Sequence, residues 1–269
     1  MEVMEKNTNA FSVFKIVLAS MIICAFPFLL IIGCEFFTVT RDAVREGTPL
    51  YIERTKIEFG PFKWLILYDS DDRKLLITEE IIAQLPYQTD FGVMYSTWEA
   101  STIRQFLNDS FLQEFTLSER NRIAETHVKN FDNLWFLNHG STGGNDTIDM
   151  VFLLSLEEVD KYFGNSNDYL NKRSWSFHEG FFGRWTRLTD NNPNNIGRKL
   201  SNRYDVNRVA KYNGEPCLWW LRSPGGLPSF VAFVWSDGAV NVGGESFVST
   251  LHSNCLRYLG VRPALWLYL

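Results

Sequence analysis

The sequence predicts an α+β domain preceded by an apolar N-terminal helix, and three observations carry that expectation. Residues 16–33 contain no charged side chain. Downstream, apolar runs of strand length are interleaved with capping-box signatures that open helices. The last fifty or so residues are then the strongest β material in the chain, from Trp219-Trp220-Leu221-Arg222-Ser223-Pro224-Gly225 to Val261-Arg262-Pro263-Ala264-Leu265-Trp266-Leu267.

The N-terminal segment comes first. As a helix, residues 16–33 would be about 27 Å long at a rise of about 1.5 Å per residue, the lower limit for crossing a bilayer. Lys15 precedes the segment, and Arg41 and Arg45 follow it. Ile31-Ile32-Gly33-Cys34 also resembles the bacterial lipobox, in which a small residue precedes the cysteine that becomes lipidated. Two expectations therefore stand side by side: a single-span anchor or signal peptide over 1–34, or a lipoprotein attached through Cys34. Either one holds the remainder at the membrane on its extracytoplasmic face. Residues 35–55 are polar and aperiodic and read as a tether.

The domain proper is expected over 56–269, enough chain for one sizeable core or two small ones at 45% hydrophobic content. Aromatic residues make up 15% of the chain, which points to a large aromatic core or to rings presented as stacking platforms. A formal charge of −5 without a basic block argues against nucleic acid as partner.

In chain order, Phe62-Lys63-Trp64-Leu65-Ile66-Leu67-Tyr68 and Lys74-Leu75-Leu76-Ile77-Thr78 flank an Asp/Ser turn and predict a hairpin. Helical spacing of Trp98, Ile103 and Phe106 predicts a helix over 98–106 capped by Thr97. Thr116-Leu117-Ser118-Glu119 is a capping box, predicting a helix through Ile123 and Ala124 with Leu117, Ile123 and Val128 inward. Residues 149–154 read as one strand. Ser155-Leu156-Glu157-Glu158 opens a third helix that Gly164 closes at C′. Residues 165–216 lose periodicity and read as long functional or mobile loops.

In the C-terminal block, both faces of 218–222 are mostly apolar, so this strand is expected to be covered on both sides. Asp237-Gly238 predicts a two-residue hairpin turn after 230–235. Pro263 cannot donate to a ladder and is expected at an edge or bulge.

The two terminal motifs, Trp219 to Gly225 and Val261 to Leu267, resemble the signature of a widespread bacterial extracytoplasmic domain of unknown function. Trp64, the stretch from Thr97 to Asn108, and Val151-Phe152-Leu153-Leu154-Ser155 agree with that likeness. The family in turn distantly resembles the C-type-lectin-like superfamily that includes formylglycine-generating enzymes. The likeness implies a small antiparallel core sheet, two or three helices, long irregular loops and chain ends that pair together.

It also suggests chemistry to look for. Glu215-Pro216-Cys217 and Trp235-Ser236-Asp237 echo calcium-ligand motifs of such lectins, but each lacks the Asn that supplies a ligand oxygen. Calcium is therefore a minor possibility, and no cofactor or metal is expected. Cys217 and Cys255 are candidates for a disulfide, with free thiols or a copper pair as alternatives. Arg222 and Arg262 sit inside apolar β motifs and must be paired. Carboxylates such as Glu215 or Glu245 are expected to take that role. The candidate ligand-binding set is Arg222, Trp235, Asp237 and Asn241. The expected function is a membrane-tethered, extracytoplasmic, non-catalytic domain that binds a glycan or a protein. The rivals are an oxidase of the formylglycine-generating type and a purely structural surface module.

Overall fold

A computed structural model describes residues 49–90, 95, 97–136, 141–164, 199–247 and 258–269. The chain divides into Met1–Thr48 and Pro49–Leu269. The first unit, with the apolar segment 16–33 and Cys34, lies outside the described residues. Among the described residues no helix is long and apolar enough to cross a membrane.

Two sheets dominate the second unit, and among the described residues its helices are short. In one, β1 (Lys56–Phe59), β2 (Phe62–Asp69) and β3 (Arg73–Thr78) form the expected hairpin and an added edge. The last strand, β15 (Ala264–Tyr268), pairs beside β3, and β7 (Val151–Phe152) closes that sheet. The second sheet runs in the order β4 (Ala83–Leu85), β14 (Leu259–Val261), β11 (Trp219–Pro224), β12 (Phe230–Val234), β13 (Val240–Ser246), β8 (Lys199–Leu200). Its β11–β14 contact is parallel and every other pairing in it is antiparallel. The structure is thus mostly β, with two sheets in place of one small antiparallel sheet. All six residues of β11 are buried, as its two apolar faces require.

Helix boundaries differ from the sequence expectation for local reasons. The first helix, α1, spans Thr102–Asn108 and is capped by Ser101, whose hydroxyl accepts from the Arg104 amide; Thr97 does not cap it. Trp98 lies in the preceding turn, and its indole N–H donates to Asp149 at 2.8 Å. The Thr116–Glu119 capping box forms as expected, but the helix it opens, α2, is only Leu117–Arg120. The chain stops turning because its next peptides bond the last strand: the Ala124 amide donates to Trp266 and the Tyr268 amide to Arg122. Leu117 is therefore exposed rather than inward, while Ile123 and Val128 are buried.

The single strand expected over 149–154 is two, β6 (Thr147–Asp149), which pairs with β5 (Thr126–Val128), and β7. The second capping box, at Ser155, opens α3 (Leu156–Phe163). Gly164 ends α3 in extended backbone rather than the left-handed turn expected of C′. A Cβ there would lie 2.4 Å from the Tyr204 ring, so close packing is what calls for glycine.

Of the expected long loop, 165–198 lies outside the described residues, and the remainder is ordered. A short 3-10 turn, Asp205–Asn207, is followed by the hairpin of β9 (Ala210–Tyr212) and β10 (Glu215–Cys217). Asn213 and Gly214 turn that hairpin with φ of 53° and 86°, the two positive values that a two-residue Asn-Gly turn requires.

The strand holding Pro263 switches sheets. β14 ends at Val261 in the six-stranded sheet, and β15 begins at Ala264 in the five-stranded one. Pro263 falls in the gap, where no N–H is needed, and its carbonyl accepts from Thr78 at 3.0 Å. Arg262, 1% exposed, occupies the crossing. Its Nε donates to the Thr78 carbonyl at 3.0 Å, and Nη1 and Nη2 donate to Arg208 and Glu79 carbonyls at 3.3 Å. The guanidinium also lies 5.2 Å from the Trp219 ring and 5.6 Å from the Phe163 ring. Carbonyls and ring faces thus take the place of the expected carboxylate.

Arg262→Met should remove this donor from the Thr78 and Glu79 carbonyls, the Arg208 carbonyl keeping the Trp219 indole, and lower stability by about 2–5 kcal/mol, read by urea denaturation. Arg262→Lys should recover little, because one ammonium cannot span the three acceptors. A lysine variant as stable as wild type would rule out this reading of the fork.

Candidate functional site

The candidate residues lie on and around the β12–β13 hairpin. Trp235 and Ala239 close its loop through the Trp235 amide, which donates to the Ala239 carbonyl at 2.8 Å. Inside that pair, Ser236, Asp237 and Gly238 form a three-residue loop with Gly238 at φ 88°. This corrects the two-residue turn expected from Asp-Gly: the glycine provides the left-handed position that ends a three-residue loop. Gly238 also has no room for a side chain, since a Cβ would sit 1.8 Å from the Asp205 carbonyl oxygen.

The four candidates divide by environment. Asp237 is exposed at the tip, and its carboxylate accepts from the Ala239 amide at 3.1 Å. Trp235 is half-buried, edge-on to Phe233 with ring centroids 4.8 Å apart. Asn241 is buried in β13 opposite Phe233, and its Oδ1 accepts from the Gly244 amide at 2.9 Å.

Arg222 is also buried, in β11. It forks onto Glu158, with Nη1 on Oε2 and Nη2 on Oε1 at 2.9 Å. Nη1 donates further to the Leu153 carbonyl at 2.7 Å. Glu158, not Glu215 or Glu245, is therefore the counter-charge. Its Oε2 also accepts from the Ser155 amide at 2.9 Å as part of the α3 capping box, so one carboxylate caps the helix and neutralises the strand arginine. Tyr87 adds its hydroxyl to the Arg222 carbonyl at 3.3 Å, and burial holds that phenol well above its ordinary range.

The glycine pairs of this block serve backbone contact. A Cβ on Gly225 would lie 2.5 Å from the Gly243 carbonyl, and one on Gly244 would lie 2.5 Å from that of Val231. The strands cross closely at an irregularity between Val231 and Phe233. Asn133 secures the crossing by donating to the Pro224 and Val242 carbonyls at 2.8 and 2.7 Å. Asn133 was not legible as a structural residue, because both of its partners are distant in sequence.

Cys217 is a half-buried thiol that accepts from Gln84 at 3.2 Å and donates to the Leu218 carbonyl at 3.3 Å. Its expected partner Cys255, like the lipidation candidate Cys34, lies outside the described residues. Among the described residues no group of three or more His, Cys, Asp or Glu side chains is placed to hold a metal ion. The buried carboxylate of Asp149 is engaged by Arg104 at 2.6 Å, Trp98 and Thr147 at 2.6 Å, joining α1 to β6.

Residues 71–269 match a family described as a domain of unknown function, DUF6273. The chain belongs to this family. The DUF6273 match begins in the turn between β2 and β3, whereas β1 and β2 extend the same sheet upstream of it. No curated protein and no solved structure gives a match.

Glu158→Gln should leave the Arg222 guanidinium buried without a counter-charge and cost about 2–3 kcal/mol. That is below the figure for a fully enclosed pair, because the Glu158 side chain is 28% exposed. Thermal denaturation in a double-mutant cycle with Arg222→Met would measure the coupling. Asp237→Ala should stay within about 1 kcal/mol of wild type in the same assay.

Proposed function

We propose that this DUF6273 domain is a non-catalytic binding or interaction module, tethered to the extracytoplasmic face of a bacterial membrane, whose ligand is a glycan or a protein. The observation that carries the reading is the contrast within the C-terminal block. The buried polar residues are engaged by the fold itself: Arg222 by Leu153 and Glu158, Asn241 by the Gly244 amide of its own strand, and Asn133 by the carbonyls of β11 and β13. The hairpin tip instead presents exposed Asp237 beside half-buried Trp235 on a firmly backed loop. A carboxylate and an indole carried on one short loop offer hydrogen-bond acceptors and an apolar face, a combination suited to a sugar or a peptide side chain.

The tethering part of the proposal rests on the charge-free stretch 16–33 and on Cys34. Globomycin treatment separates its two forms: processing abolished by the drug and by Cys34→Ala supports a lipoprotein, and a chain that keeps its full length in the membrane with or without either supports a single-span anchor.

The finer fold reading is C-type-lectin-like. It is supported by the pairing of the C-terminal strand β15 beside the N-terminal hairpin in one sheet, and by short helices that accompany two sheets.

The full chain in detergent should bind on a glycan array or retain a partner in a surface pull-down. Asp237→Ala should weaken that binding at least about tenfold while the thermal midpoint stays close to wild type. A blank array together with a blank pull-down would overturn the binding proposal.

A further inference from the structure

We propose that residues 49–55 are a releasable strap, and that its docking on Asn207 holds the candidate hairpin tip in place. The tip matters for binding only if the preceding functional reading is right, but the strap and its coupling to the tip can be tested without any ligand.

The strap runs over the domain in an extended alternation, with Tyr51, Glu53 and Thr55 exposed and Ile52 and Arg54 half-buried. Its contacts are mostly polar. The Leu50 amide donates to the Arg203 carbonyl at 2.7 Å. The Asn207 side chain then behaves like a short piece of strand: Nδ2 donates to the Leu50 carbonyl at 2.8 Å, and Oδ1 accepts from the Ile52 amide at 2.7 Å. Arg54 makes the second anchor. It donates to the Tyr162 carbonyl in the last turn of α3 and to the Ile66 carbonyl at 3.2 Å, and its guanidinium lies 5.2 Å from the Phe163 ring. Few buried apolar groups and a surface position place such a segment at the low end of local stability.

Asn207 ends the 3-10 turn Asp205–Asn207, and the other side of that turn supports the tip. Arg208, the next residue, is fully buried and donates from Nε to the Gly238 carbonyl at 2.7 Å. Its Nη2 engages the Asp205 carboxylate and Asn202 Oδ1, the latter at 3.0 Å. The Asp205 carbonyl is packed against Gly238 so closely that no side chain fits between them. One short turn is thus gripped by the strap through Asn207 and grips the tip through Asp205 and Arg208. When the strap leaves, Asn207 loses two backbone partners and the turn loses its outer support, so the tip loosens with it.

Hydrogen exchange on the full chain, followed by mass spectrometry of peptides covering 49–55 and 234–240, tests the coupling. Two variants are compared with wild type: Asn207→Ala, which removes the clamp, and Arg54→Ala, which frees the strap without touching the turn. In both, strap amides should exchange at least about tenfold faster, and the Trp235 and Gly238 amides at least about threefold faster. The core amides of Thr78 and Arg222 should not change. Strap acceleration with an unchanged tip would overturn the coupling, and an unchanged strap would overturn the clamp. Acceleration spreading equally to Thr78 and Arg222 would show global loosening and would overturn the device. Should Asn207→Ala fail to fold, Asn207→Asp, which keeps the Oδ1 acceptor for Ile52 and removes the Nδ2 donor to Leu50, takes its place under the same outcomes.

Discussion

The burial of the Arg262 guanidinium at the crossing between the two sheets is the constraint on which most of this structure depends. The carbonyls it contacts belong to Thr78, at the end of β3, to Glu79 just beyond, and to Arg208 beside the 3-10 turn. The rings beside it belong to α3 and β11. Burial above all, together with the neighbouring Arg54 and against an opposing pull from Glu79, lowers its pKa to about 9. A charge removed from water in this way needs close-range donors and acceptors in fixed positions, so the groups around it have little freedom to move. One side chain thereby fixes the relative placement of a sheet end, a helix, a second sheet and a loop.

The same solution recurs through the interior. Arg222 joins β11 to the start of α3, Arg208 backs the hairpin tip, and Asp149 collects Trp98, Arg104 and Thr147. In each case a buried ionic or polar group spends its hydrogen bonds on groups from at least one other element. Such groups specify how elements meet more than they add net stability. Their use in assembly is also why the exposed end of the β12–β13 hairpin, rather than the arginines of the motif, is the natural place to look for recognition.

Parts of this arrangement were legible in the sequence. Both capping boxes, at Thr116 and Ser155, form as written, because the pattern is satisfied within four residues. The β2–β3 hairpin and the two-sided burial of β11 follow from apolar runs and turn chemistry. Asn213-Gly214 was equally legible as a turn but was absorbed into an aperiodic stretch. Of the site, Asp237 in a turn could be read directly. The partners of Arg222 and Arg262 could not, since Glu158 lies 64 residues from Arg222, and Thr78 lies 184 residues from Arg262.

By itself, the sequence determined the elements whose causes are local: caps, turns, strand-length apolar runs, and the need for some partner for each arginine in a β motif. Only the tertiary structure decided where those elements stop and what they meet. Residues 122–124 leave a helix because the last strand offers them hydrogen bonds. Val261 and Ala264 belong to different sheets because a proline and a buried arginine occupy the step between them. The physical reason is range: a cap or turn is closed by neighbours in the chain, whereas a buried charge is settled by whichever distant groups the fold brings to it.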